Sequence, residues 1–282
     1  MPWKDRWLSE YRWILMAHAC LFLLYGCVMA GLATRIDPEH MNFPTVLVTY
    51  RSKTNSKAIE LALRPTPSVP VPVIMVLVLF LESLTAVIIL LLGKSYYENH
   101  ISEGRNPVRW ISFAITASLQ RLCVCLYSGL ADIPSILAVV MITALVNVSG
   151  IYLDASRSLR AFFIVSLLYG LSLVMLGISF IGSAVAVENL PDFIPAVFVV
   201  NEIIFASFAF VMLYSIITRR RRGTASLYNS NDAEGTSDPT ISTEAQRVAI
   251  SLRVEFAYAI LSIAAKLIIA SIIVARPLQK VD

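Results

Sequence analysis

Long apolar stretches separated by polar segments dominate the chain, and their lengths predict its architecture. A helix needs about 20 mostly apolar residues to cross a bilayer core about 30 Å thick. Seven stretches reach that length, at about 13–33, 70–92, 107–128, 132–153, 161–183, 193–217 and 250–275. We therefore predict an all-α bundle of seven transmembrane helices, formed as a single domain over residues 1–282.

Two of the connections between these stretches are long enough to carry structure of their own. The first, 34–69, holds "FPTVLVTY" and "AIELAL" on either side of a polar "RSKTNSK". Two β-prone runs around a polar turn predict a β-hairpin. The second connection, 218–247, opens with "TRRRRGT" and continues through a tract rich in Ser, Asn, Asp and Gly. That composition is typical of a mobile linker.

Composition fits a membrane protein and excludes an ordinary soluble domain. Only 15% of the 282 residues are charged and 57% are apolar, with a mean hydropathy of +0.72. Soluble domains carry roughly 25% charged residues. We expect a multi-pass integral membrane protein whose surroundings are the lipid bilayer, with no enzymatic activity and no nucleic-acid partner.

The placement of lysine and arginine predicts the orientation. Basic residues are frequent in the segments on the N-terminal side, whereas the short opposite loops "SGLAD" and "VENLPDF" carry none. Short cytoplasmic loops are enriched in Lys and Arg. We therefore expect a cytoplasmic N-terminus, an extracellular hairpin and an outer C-terminus, in the cell membrane.

One residue of the last apolar stretch is chemically out of place. Lys266 is a primary amine inside "LSIAAKLIIASII". A charged side chain at the bilayer centre costs about 2.5–3.5 kcal/mol on insertion scales. Two explanations are open: an ion pair with a carboxylate such as Glu202 or Glu82, or condensation with an aldehyde such as retinal, which needs a dry pocket and a buried amine.

Five local segments distinguish these explanations. They are "LMAHACLF", "NPVRWISFAITAS", "SGLADI", "FASFAF" and "EFAYAILSIAAK". Together they resemble the heliorhodopsins over nearly the whole chain, including the cytoplasmic N-terminus and the hairpin. The resemblance implies all-trans-retinal bound to Lys266 as a Schiff base, and a homodimer.

The same resemblance implies roles for further residues. Trp110, Phe205 and Phe208 correspond to aromatic positions of the retinal pocket. His18 matches a helix-1 histidine that can belong to a proton-accepting cavity. Two more residues, Arg109 and Glu255, suggest a polar network on the inner side. Glu255 lies eleven residues, or about 16 Å along a helix, from Lys266 and cannot reach the Schiff base.

The chain departs from the family pattern at its counterion. Ser112 stands where the family has an acidic residue, followed by Phe113 where the family has Tyr. A protonated Schiff base in low dielectric needs an anion nearby. Either the imine is neutral, or a carboxylate from another helix substitutes, or an anion such as chloride binds at Ser112 and Thr116, which share a helix face. We favour the last two.

Position along the helices identifies two carboxylates that could pair with the Schiff base but does not decide between them. Glu202 and Glu82 both lie near the membrane centre, at the level of Lys266. Arg121 is nine residues after Ser112, about half a turn round the helix, and has no partner that the sequence identifies.

Three functions are compatible with these residues. The first is a photoreceptor without transport, which the family resemblance favours. The second is a light-gated or light-driven conductor of protons or anions that uses Glu202 or a bound anion. The third is a seven-helix protein without retinal, in which Lys266 forms a salt bridge.

Overall fold

A computed structural model describes residues 2–35, 42–52, 59–186, 193–229 and 239–278. Within these ranges the chain forms seven α-helices, a short π-helical segment (Tyr97–Ile101) and one two-stranded hairpin. The elements are α1 (Pro2–Ala33), β1 (Asn42–Ser52), β2 (Ile59–Pro70), α2 (Val71–Tyr96), α3 (Pro107–Tyr127), α4 (Ile133–Ser156), α5 (Leu159–Ala186), α6 (Phe193–Asn229) and α7 (Pro239–Leu278). All seven helices are long and apolar enough to cross a membrane. The predicted seven-helix bundle and hairpin are confirmed.

Proline and side-chain caps define where several helices begin. Asn106 caps α3 by accepting a hydrogen bond from the Arg109 amide, and Pro107 follows in the first turn. Asp132 caps α4, with its carboxylate 3.1 Å from the amide nitrogen of Ser135. Proline is compatible with the first helical turn because the amide hydrogens there have no intrahelical partner.

Helix α3 lies at the centre of the bundle. In its spanning segment 72% of the residues are buried inside the protein, against 17% in α5 and in α6. The outward faces of α5 and α6 carry exposed large apolar side chains such as Leu167, Ile178 and Phe210. In a bilayer those faces meet lipid, so the polar side chains of α3 must find partners within the protein.

Several helices continue beyond their apolar stretches. The linker predicted over 218–247 is helical at both ends, because α6 continues to Asn229 and α7 begins at Pro239. The rest of that linker, 230–238, lies outside the described residues. Backbone hydrogen bonding does not require apolar side chains, and arginine is a good helix former, so a helix can extend into a basic run.

The hairpin packs on the end of the bundle where α3 meets α4. Strands β1 and β2 pair antiparallel, from Asn42 opposite Pro70 to Ser52 opposite Ile59, with an irregularity between Phe43 and Thr45. The amide of Val46 donates to the carbonyl of Ala131 at 3.0 Å. This bond fixes the hairpin to the α3–α4 turn.

Candidate functional site

The amine of Lys266 lies inside the bundle and is paired with a carboxylate. Lys266 on α7 is only 3% exposed. Its Nζ lies 2.7 Å from Oε1 of Glu82 on α2, and it donates to Oγ of Ser262, one turn earlier on α7, at 2.7 Å. The cost of a buried ammonium is therefore offset by an ion pair and a hydrogen bond.

Glu82 is also contacted from two further helices and by a second residue of α7. The hydroxyl of Thr116 on α3 donates to Oε1 at 2.7 Å, and the hydroxyl of Ser262 lies 3.4 Å from Oε2. Nε2 of His18 on α1 lies 3.7 Å from Oε2. Glu82 is 2% exposed. Four helices thus converge on one buried carboxylate, which can hold a positive charge at the position of the Lys266 nitrogen.

Ser112, which by resemblance was expected at the counterion position, has a different partner. Its hydroxyl is 2.7 Å from that of Thr85 on α2, and no hydrogen bond joins it to Lys266 among the described side chains. Thr85 lies one turn after Glu82. The other hydroxyl suggested for an anion site, that of Thr116, is hydrogen-bonded to Glu82. The Thr116 hydroxyl, which the sequence suggested as a chloride ligand, therefore donates to the carboxylate of Glu82.

An apolar cavity of about 120 Å³ lies between α3, α4, α5 and α6. The sequence-predicted aromatic residues Trp110, Phe205 and Phe208 all line it. Gly150 of α4 packs against the indole of Trp110 so closely that a Cβ there would collide with the ring. Glycine at this position therefore allows the indole to lie between α3 and α4.

One aromatic ring lies between this cavity and the amine. The ring centroid of Phe113 is 5.0 Å from the Nζ of Lys266 and 5.4 Å from the centroid of Phe208. The fit to retinal can be judged from these residues: a buried primary amine is the group that condenses with an aldehyde, and aromatic walls suit an apolar polyene. The residues present therefore fit the cofactor.

A second buried network lies closer to the N-terminal ends of α3 and α1. Arg109 forms ion pairs with Glu255 of α7 and with Asp154 of α4, the latter at 3.0 Å. The indole Nε1 of Trp110 donates to Asp154 at 2.6 Å, and the side-chain Nδ2 of Asn106 donates to Glu255 at 2.8 Å. The sequence did not predict a role for Asp154, because the predicted apolar stretch stops at residue 153 and leaves this acid in the loop. Its position directly after a long apolar stretch could have indicated a buried acid at the end of α4.

Loss of this arginine will destabilise the protein strongly. In the Arg109→Gln variant, Glu255 and Asp154 lose their shared cation, and breaking a buried ion pair by removing one partner costs about 3–5 kcal/mol. We expect a clear fall in the thermal unfolding temperature of the detergent-purified protein. Arg105→Gln is the matched control, because the Arg105 side chain is half exposed and pairs only at the surface, with Glu103. Equal unfolding temperatures for the two variants would contradict a stabilising network.

Glu202 is not beside Lys266. Its carboxylate forms an ion pair with Arg121 of α3 and accepts a hydrogen bond from the hydroxyl of Tyr169 at 2.5 Å. The sequence predicted that Glu202 lies at the depth of Lys266. Instead, Glu202 contacts Arg121, five residues further along α3 than Thr116, whose hydroxyl shares Oε1 of Glu82 with the amine. Of the two carboxylates that depth allowed, the structure brings Glu82 to the amine.

The fold and the site define a seven-helix membrane protein with a buried, ion-paired lysine in its last helix. The family model described as Heliorhodopsin matches residues 11–228, more than half of the chain, and the chain belongs to the heliorhodopsin family. A retinal chromophore and embedding in the membrane follow from that membership. The match ends before α7, the helix that carries Lys266. No curated protein matches the chain.

Proposed function

We propose that this protein is a light-absorbing photoreceptor in which all-trans-retinal is bound to Lys266 as a Schiff base and Glu82 is the counterion. One observation carries the proposal: the buried amine of Lys266 lies 2.7 Å from Oε1 of Glu82, next to an aromatic cavity. Family membership supports a retinal protein, and this geometry supports the particular residues.

The side chains around Lys266 are suited to a linkage that keeps a positive charge on nitrogen. Bound retinal supplies the absorption of visible light. Glu82 balances the charge on the nitrogen, while the hydroxyls of Thr116 and Ser262 hold the carboxylate in place. A carboxylate from α2 thus takes over the role for which the family uses an acid at the position of Ser112. Chloride is not needed in this arrangement.

The chain's other polar groups support a photoreceptor more than an ion conductor. The conducting alternative depends on Glu202, whose carboxylate is engaged by Arg121 and Tyr169. We propose that these groups do not conduct ions. A cytoplasmic N-terminus, a location in the cell membrane and a homodimeric state belong to the same proposal, on the grounds of the lysine and arginine distribution and the family.

Chromophore formation followed by chemical fixation tests the attachment directly. Purified protein is mixed with all-trans-retinal, the absorption spectrum is recorded, and the imine is reduced with borohydride before peptide mapping. We expect a new band and a retinyl adduct on the peptide that contains Lys266. Omitting chloride from the buffer should leave the band unchanged. Absence of a band, or an adduct on another lysine, would overturn the proposal.

A further inference from the structure

A third group of buried charges, separate from the attachment site and from the Arg109 network, lies in the same bundle. Arg121 is 0% exposed, and its guanidinium pairs with the carboxylate of Glu202 on α6. The hydroxyl of Tyr169 on α5 donates to that carboxylate, and so does the side-chain amide of Asn201, at 3.1 Å. Three helices therefore meet at one charge pair.

This ion pair contacts one wall of the cavity. The rings of Tyr169 and Phe205 stack with centroids 5.9 Å apart and planes 4° apart. The Cζ of Arg121 lies 5.5 Å from the Tyr169 centroid and 5.3 Å from the Phe205 centroid. Both rings line the cavity. The guanidinium and the carboxylate thus sit directly behind two rings that a ligand in the cavity would touch.

The same cavity is connected to Lys266 through different residues. Trp110 and Phe208 also line it, and both form edge-to-face contacts with Phe113, whose ring faces the lysine amine. The wall formed by Trp110 and Phe208 contacts the Lys266–Glu82 pair through Phe113. The wall formed by Tyr169 and Phe205 contacts the Arg121–Glu202 pair directly. The cavity lies between these two ion pairs, and the Arg109 network contacts it from a third side through Trp110.

We propose that the Arg121–Glu202 pair fixes the aromatic wall remote from Lys266 and sets the absorption wavelength of a chromophore in the cavity, an inference that rests on the retinal attachment proposed above. Light absorption by a conjugated iminium moves positive charge away from the nitrogen toward the remote end of the polyene. A fixed charge near that end therefore changes the excitation energy. In low dielectric such a charge acts strongly.

The two members of the pair act in opposite directions. The guanidinium repels the positive charge that arrives on excitation, so by itself it shifts the band to shorter wavelength. The carboxylate attracts that charge and by itself shifts the band to longer wavelength. Together the two groups are close to neutral, so removing one partner exposes the effect of the other.

Three variants reconstituted with all-trans-retinal test this inference. Glu202→Gln leaves the guanidinium of Arg121 without its carboxylate and should shift the band to shorter wavelength. Arg121→Gln leaves the carboxylate and should shift it to longer wavelength. Arg121→Gln/Glu202→Gln should return the band close to that of the wild type. Tyr169→Phe retains both charges and is the control for small changes in the wall.

Two further results distinguish a failure of the tuning role from a failure of the attachment at Lys266. Single variants that both shift in one direction, or do not shift while the wild type forms its band, would overturn the tuning role. No band in the wild type would instead contradict the attachment at Lys266. Retinal-free protein gives an independent readout: each single variant should unfold at a lower temperature than the double variant, and the reverse order would contradict the buried pair.

Discussion

Replacing Lys266 with alanine will abolish the absorption band that the wild-type protein forms with all-trans-retinal. A covalent imine requires a primary amine, and the nitrogen of Lys266 is the buried amine beside the aromatic cavity. Without it an aldehyde can be held only by apolar contact, and the spectrum should be that of free retinal. The measurement is the difference spectrum of purified variant and wild type after addition of equal amounts of retinal.

Two controls distinguish lost attachment from lost folding. Lys94→Ala removes a lysine of α2 whose side chain is 60% exposed, and it should leave the band intact. Adding a preformed imine of retinal and propylamine to the Lys266→Ala protein should restore part of the band, because the cavity and Glu82 are still present. A visible band that Lys266→Ala forms with retinal alone, without the added imine, would contradict the proposed function.

Replacing Glu82 with glutamine will move the absorption band from the visible to the near-ultraviolet at neutral pH. The variant leaves the imine nitrogen of Lys266 without the anion that lies 2.7 Å from it. An unpaired buried charge costs about 3–5 kcal/mol relative to the intact pair, so the nitrogen loses its proton and the imine becomes neutral. Because protons then bind the nitrogen less tightly, the visible band should return only on acidification.

The matched comparison is the same substitution at the other mid-membrane acid. Glu202→Gln should keep a visible band at neutral pH, because that carboxylate pairs with Arg121. Adding Ser112→Glu to the Glu82→Gln protein should restore the visible band, since residue 112 faces α2 through its contact with Thr85. If Glu82→Gln itself keeps a visible band at neutral pH, Glu82 is not the counterion, and chloride dependence of that band would identify an anion instead.

The sequence was sufficient to predict the architecture, because the bilayer strongly restricts which architectures can span it. Apolar length alone predicted seven helices, and β-prone runs around a polar turn predicted the hairpin. The sequence was less informative about the residues at which the helices end. The continuation of α6 through its arginine run to Asn229 depends on backbone hydrogen bonds, which apolar length does not report.

The site was harder to predict because position along a helix does not give rotation around it. Counting residues from the helix ends gives Glu82 and Glu202 similar depths, and only the packing of α2 and α6 against α3 shows which one meets Lys266. Helix geometry put Arg121 about half a turn round α3 from Ser112, but its partner could not be identified until α6 was positioned. The contact between Ser112 and Thr85 likewise depends on the approach of two helices.

The cap of α3 explains why an amide, and not an acid, occupies residue 106. Asn and Asp are about equally good at the start of a helix in general. Here the side-chain oxygen of Asn106 accepts from the Arg109 amide and from the Tyr96 hydroxyl, while its nitrogen donates to Glu255. Aspartate could accept the first two bonds but would present a negative oxygen to a negative neighbour. A single neutral side chain thereby ties the start of the central helix to α2 and α7 without adding charge to a crowded ionic cluster.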